Sequence, residues 1–402
     1  MTAIDIDQIR SDTPGTTHVA HLLACGSSLM PAAVVDAIAD HHQLEARIGG
    51  YEAHADRFDS LEAVYGSVAK LINAEPREIA LVENATVAWA HAFYALEFEP
   101  GDRILTCEAE YAANYVAYLQ RAKRDGIAIE VIPSDSAGAI DLDAMRSMIE
   151  RDADHPVKLV SITWIPTNGG LVNPAAEVGA IAKEHGITYL VDACQAVGQM
   201  PVDVEELQCD FLSATGRKFL RGPRGTGFLY VCESFLDAGI EPAIIDHYGA
   251  DWVADDRYQL RDDARRFETW ENSYALRAGL GAAVDYALDV GLEAIQDRAW
   301  GLAASLRKKL GELPGVTLYD LGHQKCSIVT FTLDGHEPSA VVAALREQGI
   351  HIGASDPEST RLDSTARSLP TMNRAAPHYF NTGEEVDRLV DALSALASAS
   401  TH

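Results

Sequence analysis

The chain has 402 residues, with 60 acidic against 32 basic side chains and a formal charge of −28. So acidic a balance argues against nucleic acid or an anionic membrane as partner, because binding polyphosphate needs clustered Lys and Arg; no apolar run approaches the ~18–20 residues of a bilayer span. At 47% hydrophobic and 23% charged, the composition is that of a folded chain long enough for two packed domains, neither disordered nor collagenous.

Residues 1–12 are acidic and lack the basic-then-apolar pattern of a signal peptide. Six cysteines without a CxxC pair make a disulfide framework unlikely as a design and point to a reducing cytoplasm. The first seventy residues mix helical and loop patterns. From about residue 77, apolar runs at 78–82, 103–106, 128–132, 158–164 and 188–191 read as strands. Between them lie segments with apolar residues at helical spacing, at 86–96, 111–124, 142–151 and 174–184. That alternation predicts an α/β fold with a mostly parallel sheet covered on both faces. Two more strands are expected at 211–213 and 227–231, then a charged, aromatic stretch (252–272) and a long helical region from 275 to about 313. The last ninety residues change rhythm. Strands at 316–319, 327–333, 350–352 and 377–380 alternate with helices at 338–347 and 384–397, the pattern of an appended α+β module. The expected division is a large domain over 1–290 and a small one over 291–402.

The chemistry concentrates in Tyr189-Leu190-Val191-Asp192-Ala193-Cys194-Gln195, followed by Ser213-Ala214-Thr215-Gly216-Arg217-Lys218. An apolar strand ends in Asp192, and in an open α/β sheet the carboxyl ends of strands line the ligand crevice. A second strand ends at Thr215, with Lys218 in a glycine-flanked turn 26 residues after Asp192. A cofactor with a pyridine ring, an aldehyde and a phosphate would use all of these. The amine forms a Schiff base, the carboxylate keeps the ring nitrogen protonated, and hydroxyls and backbone amides hold the phosphate. Taken singly, a strand-end Asp is ordinarily a helix cap and a lysine in a glycine-rich turn is ordinarily solvated. Their joint spacing, in a chain with only eight lysines, favours the cofactor reading.

At these residues the chain resembles the class V aminotransferase family, the cysteine-desulfurase-like branch of the fold-type I pyridoxal-phosphate enzymes, from about His21 to the C-terminal helix. The resemblance implies a mostly parallel, seven-stranded type of sheet with helices on both faces, a smaller C-terminal α+β domain, pyridoxal 5'-phosphate as cofactor, and a homodimer with shared active sites. Position by position, Lys218 matches the Schiff-base lysine, Asp192 the partner of the pyridinium nitrogen, and Gln195 the residue that bonds the ring hydroxyl. Thr215 matches a phosphate-binding Ser/Thr, and Arg217 stands where many relatives have a phosphate-binding His. Ala85 and Thr86, in Glu83-Asn84-Ala85-Thr86, look like the main phosphate cradle at a helix N-terminus, where Asn84 or Thr86 also suits an N-cap. Tyr111, in Glu110-Tyr111-Ala112-Ala113-Asn114, matches the aromatic residue that stacks on the ring, where desulfurases carry His. Thr167 matches an Asn that contacts the ring hydroxyl and the substrate carboxylate.

Arg374, in Arg374-Ala375-Ala376-Pro377-His378-Tyr379-Phe380-Asn381-Thr382, resembles the arginine that clamps the α-carboxylate of an amino acid, a task suited to a planar bidentate donor. Cys25 and Gly26 match a loop that borders the substrate with its backbone. Tyr51, in Ile48-Gly49-Gly50-Tyr51-Glu52, resembles a pocket tyrosine of the hercynylcysteine-sulfoxide-lyase and isopenicillin-epimerase-like members. Residues 266–272, with Trp270, match the region that relatives insert into the neighbouring subunit's phosphate site; Trp270 equally suits an interface or core aromatic.

One departure directs the functional reading. Desulfurases need a nucleophilic cysteine just before the arginine segment, and residues 351–359 contain no thiol. A hydroxyl such as that of Ser355 is neither soft nor ionised enough to accept sulfane sulfur. What remains is Schiff-base formation with an amino acid and removal of its Cα proton by Lys218. The expected reaction is β-elimination by a carbon–sulfur lyase on an S-substituted cysteine or its sulfoxide. Epimerisation or racemisation, with Tyr111 or Tyr51 as second acid, is the alternative; transamination is third and a catalytically silent binding protein last. No metal is expected.

Overall fold

The computed structural model describes residues 4–151 and 154–399, so the first three residues of the acidic opening and of the large domain lie outside it. Seven strands form the main sheet: β1 (Ile79–Val82), β2 (Arg103–Cys107), β3 (Ala128–Ile132), β4 (Val157–Thr163), β5 (Thr188–Asp192), β6 (Phe211–Thr215) and β7 (Gly227–Val231). Their order is β1-β7-β6-β5-β4-β2-β3. β2 to β6 run parallel, and β7 is antiparallel to both its neighbours. Both faces are dry, as a parallel sheet requires. Leu190 and Phe211 pack into one core with Trp89, Phe93 and Tyr118. Their neighbours Tyr189, Val191 and Leu212 pack into a second core on the opposite face, with Val178 and Ile181. That alternation along the strands is the two-residue period of a pleated sheet.

Helices α1 (Ala32–Ile48) and α2 (Gly50–Ile72) lie where the sequence shows mixed patterns; α3 (Ala85–Ala95) follows β1, and α4 (Ala112–Asp125) follows β2. The charged, aromatic stretch holds a hairpin, β8 (Ala250–Ala254) with β9 (Arg257–Leu260). The expected long helical region is two helices, α5 (Tyr274–Val290) and α6 (Leu292–Gly311). Gly291 separates them at φ 90°, a conformation that costs an L side chain strain.

The C-terminal part carries a four-stranded antiparallel sheet, β10 (Val316–Leu318), β11 (Val329–Leu333), β12 (Gly353–Ser355) and β13 (Met372–Ala375), in the order β10-β11-β13-β12. It builds a separate core with α6 and the last helix, Gly383–Ala399, and Ala20 and Leu22 of the N-terminal segment join it. We propose Gly291 as the domain boundary, supported by the change from one core to the other across α6. A strand at 377–380 does not form. Pro377 has no N–H to give a ladder, and the following His378, Tyr379 and Phe380 are buried against the core of the large sheet rather than paired. The strand of this region lies five residues earlier, at β13, and carries Arg374.

Candidate active site

β4 and β5 end at one level, and β6 runs two residues further. Thr163 of β4 stands opposite Asp192 of β5, and Asp192 opposite Ser213 of β6. The turn after β6 returns Lys218 to this edge. Together Tyr111, Thr163, Thr167, Asp192, Gln195 and Lys218 line a single cleft, with Ile165 and Cys194. The carboxyl end of a parallel sheet is where such folds place ligands, because strand-end side chains converge there and helix N-termini follow.

Asp192 is almost fully buried yet satisfied: Oδ1 accepts from the Cys194 amide at 3.0 Å and Oδ2 from Asn114 Nδ2 at 3.0 Å. Gln195 donates from Nε2 to the Cys25 carbonyl at 3.2 Å, while its buried Oε1 has no hydrogen-bond partner within the chain. A buried polar atom in that condition is costly unless a ligand completes it. Thr215 donates only a long bond, 3.4 Å, to the Thr226 carbonyl.

The helix that would face a phosphate is drawn close by one glycine. A Cβ on Gly227 would stand 2.7 Å from the Ala214 carbonyl, 2.8 Å from Asn84 C and 3.0 Å from Ala85 N. The end of β6 and the start of α3 therefore meet across Gly227. Asn84 caps α3 by accepting from Val87 N at 3.0 Å. The first amides of the helix, those of Ala85 and Thr86, have no intrahelical acceptor and make an anion site. Arg217 bonds the Gly26 carbonyl, and its own carbonyl accepts from Ser28 N at 2.9 Å. Burial, with the positive charges of Arg224 and Arg374 nearby, lowers its guanidinium below the ordinary value. Residues 23–28 thus tie the lysine turn to the arginine segment, since Ala24 N also donates to the Ala376 carbonyl at 3.1 Å.

Arg374 comes from the small sheet and reaches the cleft wall, where Nη1 bonds both the carbonyl (2.9 Å) and the hydroxyl of Thr167; its buried Nε has no partner. Tyr111 opens α4, 39% exposed at the cleft. Two further residues stand apart within the chain. Tyr51 is 85% exposed on the first turn of α2, and Trp270 is half exposed, stacked on His247 at 5.0 Å. Neither lines the cleft of Lys218. Glu268, Thr269, Asn272 and Ser273 instead border a larger cavity, with Glu83, Asn84, Gly227 and Arg277.

Sequence reasoning missed four residues here. Glu110, Asn114 and Thr163 form a buried polar network behind Asp192. Cys194 is a thiol in the cleft itself. Burial pushes that thiol well above its ordinary value and the charge of Asp192 adds to the shift, although Lys218 opposes it. A protonated thiol is a poor nucleophile. The stretch 351–359, expected to carry a reactive cysteine in desulfurases, is folded into β12 and a 3-10 turn (Pro357–Thr360), with Ser355 buried. The following helix is pinned to the cleft wall, where Asn168 Nδ2 donates to Asp363 Oδ2 at 2.7 Å.

The donor set fits the pyridine-aldehyde-phosphate group that the sequence suggests: an amine, a strand-end carboxylate and an unsatisfied buried amide oxygen line one cleft, and a helix N-terminus meets the end of β6 across Gly227. Comparison with known proteins agrees. The Aminotransferase class-V family profile matches residues 20–389. The chain is 31% identical to a cysteine desulfurase of Haloferax volcanii, covering 98% of this chain and 97% of that one. It is 32% identical to a cysteine desulfurase of Serratia proteamaculans, covering 96% and 97%. Its fold superimposes on the apo structure of a cysteine desulfurase from Thermococcus onnurineus with a TM-score of 0.90 at 27% identity, covering 99% of this chain and all of that one.

Proposed function

The chain belongs to the class V aminotransferases, fold-type I enzymes whose cofactor is pyridoxal 5'-phosphate, and on that premise we propose that it is a carbon–sulfur β-lyase for an S-substituted cysteine or its sulfoxide. When bound, the cofactor supplies an electron sink for negative charge at the substrate Cα. Lys218 Nζ is the amine that would hold the cofactor and would take up the proton from the substrate Cα. Asp192 would keep a proton on the ring nitrogen, and Gln195 would bond the ring oxygen. Ala85, Thr86, Thr215 and Arg217 would hold the phosphate, with Tyr111 and Thr167 beside the ring. Arg374 binds the α-carboxylate beside the backbone of Cys25 and Gly26. Loss of the sulfur substituent from Cβ then leaves a three-carbon fragment that hydrolyses to pyruvate and ammonia.

The observation that carries this reading over a persulfide-forming desulfurase is the state of the thiols. Cys194 faces the cleft but is kept protonated by burial, and Cys25 is 1% exposed. The stretch 351–359 contains no thiol, and the hydroxyl of its Ser355 is buried. No thiol of the cleft is thus placed as a thiolate to accept sulfur. Epimerisation is the second reading, favoured by the position of Tyr111 in the cleft with Lys218. A homodimer with shared sites belongs to the proposal: α1 and α2 expose Val35, Ile48, Tyr51 and Phe58, apolar side chains that a partner subunit would cover. We place the protein in the cytoplasm on its thiol content; no helix among the described residues is long and apolar enough to cross a membrane.

A panel of S-substituted cysteines, their sulfoxides and D/L pairs, assayed for pyruvate, tests the reaction. Pyruvate in step with released thiol or sulfenate supports the lyase. Racemisation without keto acid replaces it with the epimerase, and formation of the substrate's own keto acid with aminated cofactor replaces it with a transaminase.

A further inference from the structure

Glu110 is a carboxylate buried to 2% exposure that the chemistry above leaves unused. Its hydrogen bonds come from neutral donors. Oε1 accepts from Thr163 Oγ1 (2.5 Å), the Tyr111 amide (2.8 Å) and Asn114 Nδ2 (2.9 Å), and Oε2 accepts from Thr106 Oγ1 (2.7 Å). Asn114 Nδ2 also donates to Asp192 Oδ2 at 3.0 Å. An amide nitrogen has two protons, and a carboxylate in its ionised form only accepts. Both protons of Asn114 are therefore committed, one to each carboxylate, which fixes its orientation without ambiguity between nitrogen and oxygen.

From this geometry we propose that Glu110 is the positioning residue of the cofactor ring: through Asn114 it orients Asp192 at the ring nitrogen, and through the Tyr111 amide it sets the residue that covers the ring face. The inference rests on the roles of Asp192 and Tyr111 given above. An Asp192 carboxylate held in this orientation at the ring nitrogen would favour the protonated form of that nitrogen. The groups facing Glu110 are Thr106 and Cys107 from β2, Thr163 from β4, Asp192 from β5, and Asn114 and Tyr118 from α4. Burial raises its carboxyl and the charge of Asp192 adds to this, while the hydroxyls and the amide of Asn114 oppose. A fully satisfied buried network of this kind is rigid, and losing one member leaves the others unpaired.

The test is 15N NMR of holoenzyme loaded with ring-15N pyridoxal phosphate, together with the cofactor dissociation constant, in Glu110→Gln, Asn114→Ala and Asp192→Ala. Glu110→Gln is isosteric but neutral, and its NH2 would face a donor. Asn114→Ala removes only the bridge. Both are expected to lower the protonated fraction of the ring nitrogen at a fixed pH, weaken cofactor binding about tenfold or more, and reduce kcat by about 10–100-fold, the usual effect of losing an orienting partner. Thr163→Val keeps the shape of the site and is expected to shift the same signal in the same direction by less, so it serves where Glu110→Gln does not fold. If Asp192→Ala moves the 15N signal while the folded Glu110, Asn114 and Thr163 variants keep the wild-type signal and affinity, this inference is overturned and the assignment of Asp192 stands. If Asp192→Ala leaves the signal unchanged, the assignment of Asp192 itself fails, and this inference with it.

Discussion

Arg374 Nη1 donates to the Thr167 carbonyl at 2.9 Å and also bonds the Thr167 hydroxyl, so an arginine on the small sheet is held by a loop of the large one. The two residues are 207 positions apart in the chain. The clamp proposed for the substrate carboxylate thus depends on how the two sheets meet, and Asp363 reinforces that meeting by holding Asn168, the residue after Thr167.

Replacing the clamp should act on binding. Arg374→Ala is expected to raise KM by roughly 30- to 150-fold, the loss of a charge-assisted hydrogen bond of about 2–3 kcal/mol, with a smaller effect on kcat. Thr167→Val removes one acceptor and should raise KM in the same direction by less. Steady-state kinetics on the best substrate of the panel measures both, and an unchanged KM in Arg374→Ala would remove Arg374 from the carboxylate site.

The phosphate cradle proposed at the start of α3 depends on the missing side chain at residue 227. Gly227→Ala puts a methyl group against the Ala214 carbonyl, Asn84 and Ala85, all backbone that cannot rotate away. Such overpacking costs about 1–3 kcal/mol. It should push α3 away from the end of β6, so cofactor affinity should fall beyond what the change in apo melting temperature accounts for. Fluorescence titration with pyridoxal phosphate, beside thermal melts of the apo protein, separates the two.

Acid should destabilise the junction of the two sheets. Burial, helped by Arg221, lowers His378 to about 3; burial, helped by His351, lowers His21 to about 4. Both titrate near 6.5 when unfolded. The unfolded chain therefore binds protons first as pH falls below about 6.5, and stability drops until the native pKa values are reached. Each histidine should take on the order of 2 kcal/mol between pH 7.5 and 5. Urea denaturation at the two pH values should show that loss, and His378→Gln should shrink it although it lowers stability at pH 7.5; an equal loss in the variant would assign acid sensitivity elsewhere.

Much of this was legible in the chain because the relevant patterns are local. The strands of the main sheet are apolar runs bounded by helical periodicity, and Asp192, Gln195, Thr215 and Lys218 fall at strand ends within thirty residues of one another. The hairpin β8–β9 was not legible, because its apolar residues Trp252, Val253 and Tyr258 are exposed and mark no buried face. β13 was obscured by its own content: Asn373 and Arg374 interrupt the apolar pattern, while the buried 378–380 segment imitates a strand that Pro377 prevents. The contact of Arg374 with Thr167 joins distant segments, so spacing carries no trace of it. Glu110 left no signature either, since a carboxylate satisfied by hydroxyls and amides has no charged partner whose spacing would disclose it.

The central claim is that Lys218 holds the cofactor at the Asp192 edge of the sheet. Borohydride reduction of the holoenzyme followed by peptide mass spectrometry tests it most directly. The prediction is a pyridoxyl-phosphate adduct on Lys218 alone, absent from Lys218→Ala, whose kcat falls by at least about 10²–10⁴-fold with the loss of its acid–base group. An adduct on another of the eight lysines, or a protein that takes up no cofactor under reconstitution, would contradict the account.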